Sequence, residues 1–252
     1  MTIDEYINDP SKSKQENLTM HDFYLGKLNA IIEREKKLPT VAIYYEKDDL
    51  WFHVKVPDEQ MTGFYYDVVL TFHPDSKLQV DAEDILGYKV HFFSNDPGFV
   101  FKFCYEFNQN KLLVDSLKSR LNSKALNLPA NQTNPEHEIR YPKTIYFAYL
   151  TLEKLNLFRK PTIKAYRVQK LNRSFFVASI PNDTYIYNRR QTRMKTVKNI
   201  NRAATRITKP FNDLKDAIVS NTKTSRNVSS TKSTGHSKGV SSVSGVKKTK
   251  RK

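Results

Sequence analysis

The chain has 252 residues, a hydrophobic content of 38% and a formal net charge of +16. Its single cysteine, Cys104, excludes an internal disulfide and a cysteine-based metal cluster. The acidic N-terminus MTIDEYINDP lacks the apolar core of a signal peptide, and no run approaches the roughly 18 apolar residues that span a bilayer. We therefore expect a soluble protein that is made in a reducing cytoplasm and has no membrane partner.

Charge is divided unevenly along the chain. Residues 159–252 carry 24 Lys and Arg against three Asp, whereas residues 1–158 carry 18 basic and 23 acidic residues. A mildly acidic body followed by a strongly basic arm indicates a polyanionic partner.

Composition predicts four segments. Residues 1–17 are polar and are expected to be flexible, residues 18–158 to form the body, and residues 159–219 to form a basic arm with short strands and amphipathic helices. Residues 220–252 contain nine Ser, five Thr and nine Lys and Arg, with no acidic or aromatic residue. Such a segment cannot bury enough apolar surface to fold alone, so it is predicted to be a disordered tail.

The first predicted element is a helix that Thr19 caps, with Leu18 and Phe23 in staple positions, and that Pro39 ends. Runs of β-branched and aromatic residues separated by polar turns then predict strands. These strands are Thr40–Glu46, Leu50–Val56 and Phe64–Phe72.

The stretch Gly87–Phe107 predicts two further strands joined by a turn at residues 95–98. In the second strand, alternation places Phe99, Phe101, Phe103, Tyr105 and Phe107 on one face, which is typical of a half-buried strand. Cys104 lies on the opposite face and is interpreted as a partly buried structural thiol. Together the strands predict an α+β fold, with a mostly antiparallel sheet of about five strands covered by helices and an extended basic C-terminal arm.

Two helices are predicted to complete the body, Ser116–Ala125 capped by Asp115, and one that Pro142 opens. Beyond Phe158, the sequence predicts short strands and then helices. The strands are Thr162–Gln169, Ser174–Ile180 and Thr184–Tyr187; a helix follows over Arg189–Ala204, and a short amphipathic helix carries Phe211, Leu214 and Ile218.

The sequence contains no pattern that predicts catalysis. The six histidines lack paired metal spacing, and His53 and His91 are interpreted as sheet residues with satisfied hydrogen bonds. The acidic stretch with Asp75, Asp81 and Glu83 is interpreted as a solvated loop rather than as the metal cluster of a nuclease. We expect no enzyme activity, no cofactor and no small-molecule substrate.

Basic side chains of the arm form the candidate site. Lys and Arg neutralise phosphates and release counterions, an attraction that does not depend on base sequence. No helix-turn-helix, zinc-finger, RRM or KH pattern predicts base reading. The predicted polyanion-binding residues are Arg189, Arg190, Arg193, Lys195, Lys198, Arg202, Arg206, Lys247, Lys248, Lys250, Arg251 and Lys252.

Two runs, FFSNDPGFVFKFCYEFNQNKLLVDSLKSRLNSKAL and YPKTIYFAYLTLEKLNLF, resemble uncharacterised virion-associated proteins of tailed bacteriophages. The high Asn, Lys and Tyr content fits an AT-rich phage genome. The resemblance implies a structural role in the particle, in or beneath the capsid or at the neck. It carries over no catalytic or binding residue.

Three hypotheses follow. The first is a non-enzymatic structural component of a phage virion, made in the host cytoplasm; its body docks on other virion proteins and its arm contacts packaged DNA or an acidic subunit surface. The second is a free DNA- or RNA-binding protein without sequence preference. The third is an enzyme such as a nuclease, which would need the acidic loop to hold a metal.

Overall fold

A computed structural model of the chain describes residues 1–75, 80–140 and 142–202. Its strands are β1 (Thr40–Glu46), β2 (Asp49–Pro57), β3 (Tyr65–His73), β4 (Lys89–Ser94) and β5 (Val168–Lys170). They form one sheet in the order β4-β3-β2-β1-β5, in which β1 to β4 are antiparallel and β5 pairs parallel with β1. The predicted α+β fold with a mostly antiparallel five-stranded sheet is confirmed.

Helices occupy much of the remaining chain. They are α1 (Ile3–Ile7), α2 (Lys14–Glu35), α3 (Pro97–Lys102), α4 (Cys104–Gln109), a 3-10 helix (Asp115–Arg120), α5 (Ser123–Asn127), α6 (Lys143–Lys154), α7 (Lys160–Ala165), α8 (Arg173–Ser179) and α9, residues 183–202. The chain divides into two compact units, Met1–Lys195 and Thr196–Lys252, and the fold described below is that of the first. Within the described residues, no helix is both long and apolar enough to cross a membrane.

One face of the sheet is covered by two layers of helix. Helix α6 contacts β2, β3 and β4, and α2 lies on α6. Tyr24 of α2 stacks on Tyr146 of α6, with 4.6 Å between the ring centroids. Because α6 has neighbours on both sides, eight of its twelve residues are buried.

The opposite face of the sheet is covered by α8. The Phe176 ring packs edge-on against Tyr44 and Trp51, with centroids 5.2 and 5.9 Å apart. Successive strand residues point to opposite faces, so Trp51 is buried beneath α8 while its neighbour Phe52 is buried on the other side. Cover on both faces explains why β3 is buried almost along its whole length.

The prediction of a second hairpin strand over residues 99–107 is wrong, because this part of the chain is helical. Helix α3 begins with Pro97 at its first turn, where a residue without an N–H is tolerated, and Asp96 is its N-cap residue. Asp96-Pro97 therefore starts a helix where a hairpin turn was predicted.

Aromatic spacing explains the error. Phe99, Phe103 and Phe107 recur every four residues, so they fit one side of a helix as well as one side of a strand. All three are buried, whereas Phe101 is 49% exposed and does not share their face. Cys104 begins α4 and is fully buried, whereas a partly buried thiol on a strand was predicted.

The first 17 residues, which were predicted to be flexible, contain α1 and the start of α2. Ile3, Tyr6 and Ile7 of α1 are buried in the core. Capping boxes begin both early helices, Thr2 with Glu5 in α1 and Ser13 with Glu16 in α2. Reciprocal hydrogen bonds of this kind satisfy N–H groups that a helix start leaves without partners.

Helix α2 starts at Lys14, five residues before the predicted cap Thr19. The predicted staple residues Leu18 and Phe23 are about half exposed. The helix ends at Glu35, and Lys36 follows in a left-handed conformation, before Pro39 is reached.

The predicted helix Ser116–Ala125 is divided into the 3-10 helix and α5. Asn122 interrupts it: its side chain accepts a hydrogen bond from the Lys124 N–H and caps α5. The helix predicted after Pro142 is confirmed as α6.

The folded body does not end near Phe158, because residues up to Lys195 belong to the same unit. Of the three strands predicted there, the first is α7 followed by β5, the second is α8, and the third lies inside α9. Asn172 caps α8 by accepting from the Phe175 N–H, a signal that alternation alone does not contain.

The predicted helix from Arg189 is confirmed as part of α9 up to residue 202, the last described residue. The predicted helix with Phe211, Leu214 and Ile218 and the tail 220–252 lie outside the described residues.

Candidate polyanion-binding site

Half of the predicted polyanion-binding residues lie on α9: Arg189, Arg190, Arg193, Lys195, Lys198 and Arg202. The others lie outside the described residues: Arg206, Lys247, Lys248, Lys250, Arg251 and Lys252.

Helix α9 is positioned by an apolar contact. Ile186 is 1% exposed and packs with Met61, Phe64 and Tyr66, and Met194 packs at the edge of the same cluster. Ile186 and Met194 are eight residues apart, so they lie on one side of a helix. This side of α9 therefore faces the loop between β2 and β3 and brings the neighbouring arginines to it.

Arg190 is held by a buried carboxylate. Its Nε donates to Asp58 Oδ2 over 3.2 Å, and Asp58 also accepts from the Tyr66 hydroxyl over 2.5 Å and from the Gln60 N–H over 2.7 Å. Burial works to raise the pKa of Asp58, but the hydrogen bonds from Tyr66, Gln60 and Arg190 outweigh it and hold that pKa below its usual range. Burial raises the pKa of Tyr66, so its hydroxyl stays protonated and donates.

Two more arginines of α9 contact the same loop. Arg193 donates to the backbone carbonyls of Thr62 and Gly63, over 2.7 and 3.3 Å. The Arg189 guanidinium lies 5.4 Å from the centre of the Phe64 ring, within cation–π range.

The predicted site therefore has two parts. Arg190 and Arg193 are half-buried and form hydrogen bonds to the body. Arg189 also contacts the body, through the Phe64 ring, but its side chain is exposed. Lys195, Lys198 and Arg202 have exposed side chains and can reach a partner. The sequence places all of them on one helix and does not distinguish the two roles.

Sequence reasoning missed a charged cavity next to Arg190. It has a volume of about 440 Å³ and is lined by Asp58, Tyr66, Asp96 and Lys143, among others. Burial raises the pKa of Asp96, and the nearby Lys143 opposes that effect only in part. The ammonium of Lys143 in turn lies 2.9 Å from the carboxylate of Glu59. Because Arg190 pairs with Asp58 and Lys143 with Glu59, the arrangement can fasten α9 to the body.

Two strand histidines and the cysteine have the following surroundings in the described residues. His53 Nε2 lies 2.7 Å from Asp67 Oδ1, and the His91 ring lies 4.8 Å from that of His73. Within the described ranges, no three His, Cys, Asp or Glu side chains converge as a metal site. Burial raises the pKa of the Cys104 thiol to about 12, so it stays protonated at neutral pH and is a poor nucleophile.

The acidic stretch has its own basic partners. The Asp75 carboxylate lies 2.7 Å from Lys89 Nζ, and that of Glu83 lies 3.7 Å from Arg159. The Asp75 side chain is 50% exposed and that of Glu83 is 84% exposed, so both carboxylates meet solvent.

Comparison of the chain with family models, with curated proteins and with solved structures finds no match.

Proposed function

We propose that the protein is a non-enzymatic structural component of a bacteriophage virion. Its body docks on other virion proteins, and its basic C-terminal residues contact packaged DNA or an acidic subunit surface. The division of charge supports this most: residues 1–158 are mildly acidic, and residues 203–252 alone carry 12 Lys and Arg against two Asp.

The contacts of α9 add a physical link between the two roles. Arg190 and Arg193 bind the loop between β2 and β3 through a carboxylate and two carbonyl groups, so the start of α9 is fixed to the body. Lys195, Lys198 and Arg202 have exposed side chains. A polyanion bound by these side chains and by the basic residues beyond them would be tethered to the folded body.

The sequence resemblance of residues 92–126 and 141–158 to virion-associated proteins of tailed phages is the reason for proposing that these contacts are made in a virus particle. Electrostatic contact with phosphates needs no base reading, and a structural protein that meets any stretch of a packaged genome needs none either.

Quantitative mass spectrometry of purified particles tests the proposal. We expect the protein in every particle preparation, at a constant ratio to the major capsid protein across a density gradient. Its absence from infectious particles, or a ratio that varies with gradient fraction, would contradict a structural role.

A free nucleic-acid-binding protein is the second candidate, because the same charges would coat DNA or RNA in the infected cell. In that case the protein would sediment with intracellular nucleic acid and would be lost when the lysate is treated with nuclease. A virion component would instead stay with particles after the same treatment.

A further inference from the structure

An apolar groove lies on the body between α3, α5 and the loop after α5. It has a volume of about 240 Å³, and Val100, Ala125 and Pro129 are among its lining residues. Two larger lining side chains are unusually exposed, Leu128 at 61% and Phe101 at 49%.

The exposed apolar surface continues from the groove onto α9. The Tyr187 ring meets the Phe101 ring edge to face, with centroids 5.8 Å apart, and is itself 39% exposed. Single exposed apolar residues are ordinary, but a contiguous patch in a concave surface is typical of an interaction site.

Hydrogen bonds fix the walls of the groove. The Thr133 hydroxyl donates to the Phe101 carbonyl over 3.1 Å, and the side-chain amide of Asn108 donates to the Leu126 carbonyl over 3.1 Å. The Asn122 N–H donates to Asp183 Oδ2 over 2.9 Å, which ties α5 to the start of α9. A partner would therefore meet a preformed surface, which lowers the entropy lost on binding.

The charge of the groove is of one sign. Lys102 and Lys124 line it, and no Asp or Glu is among the described residues that do so. Two carboxylates on neighbouring elements are engaged elsewhere: Asp183 accepts from Asn122, and Glu106 Oε1 lies 2.6 Å from the His137 ring.

We propose that this groove binds an acidic amphipathic segment of a partner protein. Apolar side chains of the segment cover Phe101 and Leu128, and its carboxylates meet Lys102 and Lys124. The idea rests on the proposed function only in taking the partner to be another virion protein. Single-stranded nucleic acid fits less well, because only two of the described lining residues, Lys102 and Lys124, are cationic.

Fluorescence anisotropy with two labelled peptides tests this in the full-length protein. One peptide is a helix of about four turns with Leu along one side and Glu beside it; the other has Lys in place of every Glu. At physiological salt we expect the acidic peptide to bind the wild type at least about tenfold more tightly than it binds the F101S/L128S variant.

The F101S/L128S variant keeps every basic residue, so attraction of the acidic peptide to the arm is the same in both proteins. Leu18→Ser is the matched control, because Leu18 is 50% exposed on α2 and lies outside the groove. Since all three side chains are about half exposed or more, we expect these variants to fold as the wild type does.

Charge reversal provides the second arm. K102E/K124E should lose about tenfold in affinity for the acidic peptide, and K14E/K154E, with the same change in net charge away from the groove, should not. Equal binding by wild type and F101S/L128S, or tighter binding of the Lys peptide, would overturn the proposal. A loss of oligo(dT) binding in F101S/L128S would overturn it in favour of a nucleic-acid site. These measurements need no particles, so their outcome is independent of the virion test.

Discussion

Asp58 and Asp96 line the same cavity, yet the pKa values of their carboxyl groups are shifted in opposite directions. Hydrogen bonds from Tyr66, Gln60 and Arg190 lower the pKa of Asp58, despite its burial. Burial raises the pKa of Asp96. A carboxyl with a lowered pKa in the folded state stabilises the protein above its unfolded pKa of about 3.9, whereas one with a raised pKa destabilises it there.

The first prediction concerns Arg190. Arg190→Met removes a charge-assisted hydrogen bond to the buried Asp58 carboxylate, and we expect a loss of about 2–3 kcal/mol in the free energy of unfolding at pH 7. Asp58→Asn should also destabilise, and the double variant should lose less than the two single variants together. Urea unfolding measures all three, with Lys195→Met as an exposed control from the same helix. A cost for Arg190→Met no larger than that for Lys195→Met would refute the anchoring role.

The pH dependence of these variants is a second prediction. The stability that Asp58 contributes should be lost as the pH falls below about 4 through its folded pKa, and Asp58→Asn should remove that loss. Asp96→Asn removes a buried carboxyl group whose pKa is raised and keeps a residue that is as good an N-cap, so it should be neutral or stabilising at pH 7. Any gain in stability should vanish below about pH 4, where the carboxyl group is protonated in both states. Thermal unfolding between pH 3 and 8 reads both profiles. Similar profiles for the two variants would contradict the assignment.

Sequence patterns indicate the role of a single residue more readily than they indicate which distant residues are in contact in the folded protein. His53 could be assigned a structural role because it lies on a strand, whereas the role given to Cys104 rested on a strand that is in fact helical. Asp58 could not be singled out, since its partners Tyr66 and Arg190 come from a strand and from a distant helix. Its role depends on contacts that only the folded chain creates.

Among the elements, α3 and α4 show where sequence periodicity is ambiguous. Strands β1 to β4 could be predicted, because their alternation is bounded by polar turns. For Phe99 to Phe107, periods of two and of four both place aromatic side chains together, and the helix is decided by Asp96-Pro97 at its start. The early helices carried a readable signal, the capping boxes Thr2 with Glu5 and Ser13 with Glu16.

A third prediction distinguishes helix from strand in this region. Because Phe99 and Phe107 are buried and Phe101 is half exposed, Phe99→Ala and Phe107→Ala should each cost about 3–5 kcal/mol, and Phe101→Ala less than about 1 kcal/mol. A strand with all three on one buried face would give similar costs. Urea unfolding midpoints with a common slope provide the comparison.

For the molecule as a whole, the division of charge could be read from the sequence and the extent of the body could not. Phe176 and Ile186 bury against the sheet and the β2–β3 loop, far from their positions in the chain. Composition changes at residue 159, but packing continues to Lys195. A basic composition therefore does not by itself mark the end of a folded unit.

The fourth prediction follows from the charge of the C-terminus. Replacing Lys247, Lys248, Lys250, Arg251 and Lys252 with Ser should weaken duplex DNA binding and reduce the slope of log K against log salt by up to about 4. The matched control replaces five exposed basic residues of the body, Lys14, Lys37, Lys111, Lys154 and Lys164. Filter binding from 50 to 300 mM salt would show the difference, and equal slopes for the two variants would exclude the C-terminus as the DNA contact.

The parallel strand β5 has a consequence for how the chain folds. β1 ends at Glu46, and its neighbour β5 begins only at Val168, so this pairing joins distant parts of the sequence and cannot form before β5 has been synthesised. Until then the nascent polypeptide presents the bare edge of β1, and Trp51 lacks the cover of Phe176. Chains that end near Phe158 would keep the edge of β1 unpaired, and we expect them to aggregate, whereas chains that extend to Lys195 should remain soluble.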